Sequence, residues 1–264
     1  MIKLYQAGMS TCVQKVRFVL EQKGIPWEGI AVDLNGGENY TAEYMKINPK
    51  AIIPVLDDDG DMIFESGNIC MYLDEKYPDT PLMPSDFKGR ADVRAFAQLI
   101  DEQVHTDASA CTYAIAFGPR IRAKYDTPEK LEAYLDGMPD YGRRFLKRQV
   151  ITKGIECTEV QIAVRHLDAM LQRLEGTLQN ADYLVGNQLS IADIVYLPYI
   201  TRLTHLNMSY MWQDKPGLIA WFERMKETKG YKQGMEAFFV PEVIARMGDG
   251  GTKAESSVRK ILAS

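Results

Sequence analysis

Histidine and paired cysteine are the scarcest chemistry in this 264-residue chain. The three histidines, His105, His166 and His205, show no ligand spacing, and the four cysteines, Cys12, Cys70, Cys111 and Cys157, include no Cys-x-x-Cys pair. A catalytic metal, a zinc site and a disulfide framework are therefore not expected, and the thiols read as free cysteines of a reducing compartment. No run of about 18 apolar residues occurs, so no transmembrane helix and no membrane partner are expected. The chain opens directly on the strand-like Met1-Ile2-Lys3-Leu4-Tyr5 without a cleavable apolar stretch, and a cytoplasmic location is expected. Excess positive charge is also missing: the net charge of −5 argues against nucleic acid as the main partner.

The first 80 residues alternate strand and helix. Ile2–Tyr5 reads as a short strand, and Val13, Val16 and Leu20 mark one face of a helix ending at Gly24. Trp27–Val32 is a second strand, parallel to the first through a right-handed crossover. A polar connection over residues 34–47 leads to a hairpin over 52–64. Ser66 is then expected to cap a helix carrying Ile69, Tyr72 and Leu73 on one face. This order predicts an α/β thioredoxin-like N-terminal domain over residues 1–80. Thr80–Asp86 forms a linker, and an all-α helical bundle domain is expected over 86–247. Its elements include a long helix over 87–115 and an amphipathic one carrying Val160, Val164, Leu167, Leu171, Leu174 and Leu178. Ser190-Ile191-Ala192-Asp193 resembles a capping box opening an apolar helix over 191–205. Residues 248–264, glycine-rich and then polar, read as a mobile tail.

The most informative stretch is 48–66. A proline within the first residues of a strand, here Pro54, belongs at an edge or beside special backbone geometry, such as a cis bond in a tight turn. The backbone of Ile53 would then be free to pair with an extended peptide. Glu65-Ser66, where the next helix begins, suits a carboxylate. A small peptide-like ligand with a free amino-acid end is the expectation.

Asn48-Pro49, Ile53-Pro54-Val55-Leu56, Glu65-Ser66, Tyr72-Leu73 with Tyr77-Pro78, and Tyr183-Leu184-Val185-Gly186 with Leu189-Ser190-Ile191-Ala192-Asp193 occur in this order over nearly the whole chain. In this the sequence resembles the cytosolic glutathione S-transferases. The resemblance implies glutathione as co-substrate in the N-terminal domain, an apolar second substrate against the helices, and a homodimer. It places the cysteinyl backbone of glutathione on Ile53 beside cis-Pro54, and the γ-glutamyl end on Glu65 and Ser66. Ile52 stands where relatives often carry a polar glutamine, which leaves Lys50, with Asn39 a weaker alternative, for the glycyl end.

The catalytic group is expected in the joint Ala7–Val13. Glutathione reacts as its thiolate, which a hydroxyl donor and the positive end of a helix both favour. Ser10 stands where serine-type members carry the activating hydroxyl, with Thr11 next to it. Cys12 opens a different chemistry, a mixed disulfide and thiol transfer. Ser10 also suits an ordinary helix cap.

Residues 118–157 form an insertion relative to most relatives, containing Arg143-Arg144-Phe145-Leu146-Lys147-Arg148. This basic cluster reads first as a solvated helix face. The insertion, with Ala-Phe-Gly just before it, resembles the bacterial glutathione-dependent β-etherases that cleave aryl ethers of lignin. Met9, Tyr113, Phe117, Tyr141 and Phe145 are the expected aromatic pocket lining, although each singly also suits helix packing. A general conjugase or dehalogenase, and a non-catalytic ligand carrier, are the alternative functions.

Overall fold

The computed structural model describes all 264 residues. Strands β1 (Ile2–Gln6), β2 (Trp27–Ala31), β3 (Val55–Asp58) and β4 (Asp61–Phe64) form one sheet in the order β2-β1-β3-β4. β1 pairs with β2 in parallel and with β3 antiparallel, and β4 closes the hairpin on β3. Helices α1 (Thr11–Lys23), α2 (Ala42–Ile47) and α3 (Ser66–Lys76) complete a thioredoxin-like domain. Gly24 ends α1 in the left-handed conformation, at φ 67°, with its N–H closing onto Leu20 and Glu21 carbonyls.

Two details depart from the sequence reading. Glu65, not Ser66, holds the N-cap position of α3, at φ 67°, and Ser66 is the first helical residue. The helix expected over 87–115 continues to Lys124: α4 (Phe87–Leu99), α5 (His105–Thr112) and α6 (Gly118–Lys124) are joined by π-turns at Ile100–Val104 and Tyr113–Phe117. Such wide turns re-aim the side chains that follow and recur at functional sites. The remaining helices are α7 (Pro128–Asp136), α8 (Tyr141–Lys153), α9 (Thr158–Leu178), α10 (Ile191–His205), α11 (Pro216–Lys226), α12 (Lys229–Gly234) and α13 (Pro241–Leu262).

The expected mobile tail is corrected: residues 248–262 are the second half of α13. Its glycines serve close approach, not flexibility. A Cβ on Gly251 would fall 1.4 Å from the Leu206 carbonyl oxygen, and one on Gly250 2.5 Å from that of Ile115. Met247, Val258 and Ile261 are buried along the same helix.

One cluster of 59 buried apolar residues runs through both halves of the molecule, so the sheet and the helical bundle share a core. Helices α7 and α8 share a small separate core of Leu131, Leu135 and Ile151, while Val150 of α8 joins the main one. The linker is pinned from both sides. The buried Asp74 carboxylate accepts Lys23 Nζ at 2.7 Å and the Leu82 N–H at 2.7 Å.

Candidate active site

Sheet register brings the sequence-predicted residues to one end of the molecule. Tyr5 of β1 and Phe64 of β4 both pair with Val55, the first residue of β3. The segments that follow β1 and β4 and the one that precedes β3 must therefore emerge together. They carry Ser10, Glu65-Ser66 and Ile53-Pro54 respectively. Helices α1 and α3 both begin here, so two positive helix ends converge on this edge.

The Ile53-Pro54 bond is cis. Neither the N–H nor the C=O of Ile53 is engaged within the chain, whereas the Ile52 carbonyl accepts Tyr44 Oη at 2.9 Å and Asn48 Nδ2 at 2.8 Å. The edge is thus held rigid from one side and open to an extended peptide on the other. Asn39 is buried and donates to the Ala51 carbonyl at 2.9 Å, which makes it a loop anchor and not a ligand contact. Lys50 Nζ lies 2.6 Å from Glu65 Oε1, and both side chains are exposed. Hydrogen bonding to Glu65 raises the Lys50 pKa. The pair sets a cation and a carboxylate side by side at the mouth of the groove.

Within the joint, the three candidates separate by direction. Ser10 is the N-cap of α1 and accepts the Val13 N–H at 3.4 Å; its own O–H has no partner within the chain. That hydroxyl is free to donate. Thr11 faces the Tyr199 hydroxyl. Cys12 points into the helical domain, its Sγ 3.5 Å from His105 Nδ1, while the same Nδ1 lies 3.2 Å from Tyr199 Oη. Burial pushes the Cys12 thiol pKa up, but the charges of His105 and Lys15 and hydrogen bonds from His105 and Ser66 outweigh it, bringing the value down to about 6. For comparison, burial pushes the Cys70 thiol up to about 12.

Several residues of this site were missed from the sequence. Lys15 is fully buried within α1, its Nζ 3.3 Å from Ser66 Oγ and 5.2 Å from the centre of the Tyr199 ring. Arg202, on α10, donates from Nη2 to the Met9 carbonyl at 2.6 Å and so braces the turn before Ser10. Burial lowers its pKa to about 10. The available signal was charge where the helical pattern calls for core: Lys15 and Arg17 in the apolar run of α1, and Arg202 in that of α10. Of the expected lining, Tyr113 and Phe117 meet edge to face at 5.6 Å, and Met9 is half-buried in the joint, its carbonyl held by Arg202. Tyr141 and Phe145 are not brought to this pair; both are exposed on α8.

A thioredoxin-like sheet with an open cis-proline edge, two converging helix starts and a helical second half defines a thiol-binding two-domain class. The family models for the glutathione S-transferase N-terminal domain and C-terminal domain match residues 4–81 and 140–228. The chain belongs to the glutathione S-transferase family. It is 29% identical over 254 residues to protein LigF of Sphingobium sp. (strain NBRC 103272 / SYK-6), covering 94% of this chain and 98% of LigF. A zeta-class glutathione S-transferase of Euphorbia esula is 43% identical over 90 residues, 34% of this chain and 40% of the relative. Among solved structures, the β-etherase LigF from Sphingobium sp. strain SYK-6 superposes with a TM-score of 0.79 at 28% identity, covering 89% of this chain and 99% of that one. Glutathione transferase F7 from Populus trichocarpa follows at 0.69 and 25% identity, covering 91% and 100%.

Proposed function

We propose that this glutathione transferase holds glutathione along the Ile53 edge and directs its thiolate at an apolar aromatic electrophile, with β-aryl ether cleavage as the reaction. The observation that carries the reading is the unpartnered Ser10 hydroxyl at the positive start of α1, at the sheet end where the Ile53 backbone is open. The peptide backbone of glutathione adds to Ile53 as a short strand, and its γ-glutamyl end lies on Glu65, Ser66 and the first turn of α3. Lys50 faces the glycyl end. Ser10 donates to the sulfur and stabilises the thiolate; each unit of thiol pKa lowered corresponds to about 1.4 kcal/mol.

In the ether reaction the thiolate sulfur attacks the carbon bearing the aryloxy group. A C–S bond forms, the C–O bond breaks, and the electron pair leaves as a phenolate that takes a proton from solvent. Positioning and exclusion of water supply most of the rate. The overall likeness to LigF, extending over nearly the full length of both chains, favours the ether over a carbon–halogen bond.

The test is glutathione-dependent release of a fluorescent phenol from a model β-aryl ether, run beside an activated aryl halide. Phenol release supports the reading. Turnover of the halide alone would make the chain a general conjugase or dehalogenase, and glutathione binding without turnover would make it a carrier.

The Cys12–His105 geometry supports a second reading, a glutathionyl disulfide at Cys12 and thiol transfer. It predicts a mass increase of one glutathione on Cys12 after oxidised glutathione is added. A homodimer is part of the same proposal: Phe87, 92% exposed where the helical domain starts, is the kind of apolar group that a subunit interface covers. Light scattering measures this directly.

A further inference from the structure

Helix α8 carries five cations, of which Arg143, Arg144, Lys147 and Arg148 cluster together and meet different fates. Arg144 Nη1 lies 3.0 Å from Asp136 Oδ1, and Arg148 Nε lies 2.7 Å from Glu132 Oε1, so two of them are neutralised by α7. Arg143 reaches across to the Lys50 carbonyl at 3.4 Å. Lys147 has no carboxylate partner. Its ammonium sits over the Tyr113 ring, 4.3 Å from the centroid, and 5.6 Å from that of Tyr134. Where α7 faces its arginines it supplies Glu132 and Asp136; the residue between them that faces Lys147 is an aromatic one.

The surroundings of Lys147 connect it to the joint. Tyr113 opens the second π-turn and is half-buried against Phe117. It also lies within electrostatic reach of Arg202, the residue that holds the Met9 carbonyl next to Ser10. On the other side, Tyr40 of the N-terminal domain acts on Lys147, and the α7–α8 turn touches Tyr40 at Gly137. A half-buried cation over these rings keeps its charge through cation–π attraction and hydrogen bonds to the Tyr113 and Tyr134 side chains, which leaves one of the ammonium's three donors. That donor and the adjoining rings together fit a flat molecule bearing a negative oxygen.

We infer that Lys147 is the anion-binding group of the second-substrate pocket, and that the substrate class is an aromatic compound with an anionic oxygen, carboxylate or phenolate, its ring against Tyr113 and Phe117. This rests on the glutathione-transfer reading for its place in a reaction, and on the geometry of α8 for the binding itself. Lys147 is thereby a specificity-determining residue. In the ether reaction it also faces the charge carried by the departing phenolate.

The experiment is a calorimetric titration of the full chain and of Lys147→Met and Lys147→Arg with 4-nitrobenzoate, its methyl ester, and 4-nitrophenolate at alkaline pH. Lys147→Met is expected to weaken an anionic probe about tenfold, the loss of one charge-assisted contact, while leaving the neutral ester unchanged. Lys147→Arg should retain the anion preference, and circular dichroism confirms that both variants fold. The anion that loses more affinity identifies carboxylate or phenolate as the natural group. Equal weakening of ester and anions, unchanged anion affinity in Lys147→Met, or no anion binding by the wild-type chain would each overturn the inference. The titration needs no turnover, so an enzyme inactive on aryl ethers would remove the reaction and still leave the anion site decided.

Discussion

Cys12 Sγ and His105 Nδ1 stand 3.5 Å apart although 93 residues separate them, one at the start of α1 and the other directly after the first π-turn. The contact joins the thioredoxin-like domain to the helical one at the point where both approach the site. Cys12 turns toward His105, while the Ser10 hydroxyl, at the N-cap, accepts the Val13 N–H.

The Cys12 thiol should alkylate with iodoacetamide at a rate that rises with pH through a midpoint of about 6. His105→Asn removes the nearest lowering influence and should move that midpoint upward. Because the folded pKa lies below the ordinary 9.0, the thiolate's stabilising contribution is fully present above pH 9 and is lost as pH falls through 6. Wild type should therefore gain thermal stability relative to Cys12→Ser as pH rises across that window; parallel Tm curves would contradict the arrangement.

Ser10→Ala should lower kcat for glutathione transfer by about two orders of magnitude, the cost of losing one donor to a developing anion. Cys12→Ser should leave it within a few fold. The ultraviolet absorbance of the bound thiolate gives an independent check, since it should titrate at higher pH in Ser10→Ala. The reverse pattern of losses would transfer the chemistry to Cys12.

Asp193 holds the start of α10 together. Its carboxylate accepts the N–H groups of Leu184 at 2.8 Å and Ser190 at 2.9 Å, the Ser190 hydroxyl at 2.9 Å, and Trp221 Nε1 at 2.8 Å, with no solvent exposure. Asp193→Ala orphans four donors and should cost about 3–5 kcal/mol, or roughly 10 °C in Tm. Calorimetry measures this, and a change under about 2 °C would show that the network is not a structural anchor.

Gly251→Ala tests the docking of α13. With the Leu206 carbonyl 1.4 Å from the new Cβ, the helix must shift, and a loss of about 3 kcal/mol or more is expected. If residues 248–262 were a loose tail, the substitution would be silent, or stabilising through its effect on the unfolded chain.

Local patterns carried the sequence reading far where one helix or one strand decides the outcome. The Val13–Val16–Leu20 face, Gly24, Pro54 and the Ser190–Asp193 box each fix geometry within a few residues, and the helix over Ile191–His205 has the bounds expected of it. The tail was misread because glycine has two uses, freedom and close approach, and only the neighbouring Leu206 and Ile115 carbonyls tell them apart. Tyr141 and Phe145 were expected in a pocket on composition alone; the face that α8 turns to its neighbours holds Lys147 instead.

By itself, the sequence determined the order of strands and helices and the cis-proline edge, because hydrophobic period, caps and proline act over short range. Tertiary structure alone decided that Cys12 meets His105, that buried Arg202 holds the Met9 carbonyl and buried Lys15 meets Ser66, and that Lys147 lies among tyrosines without a carboxylate. Those outcomes depend on charges brought together from residues dozens of positions apart, and Coulomb interactions between them exist only once the chain has folded.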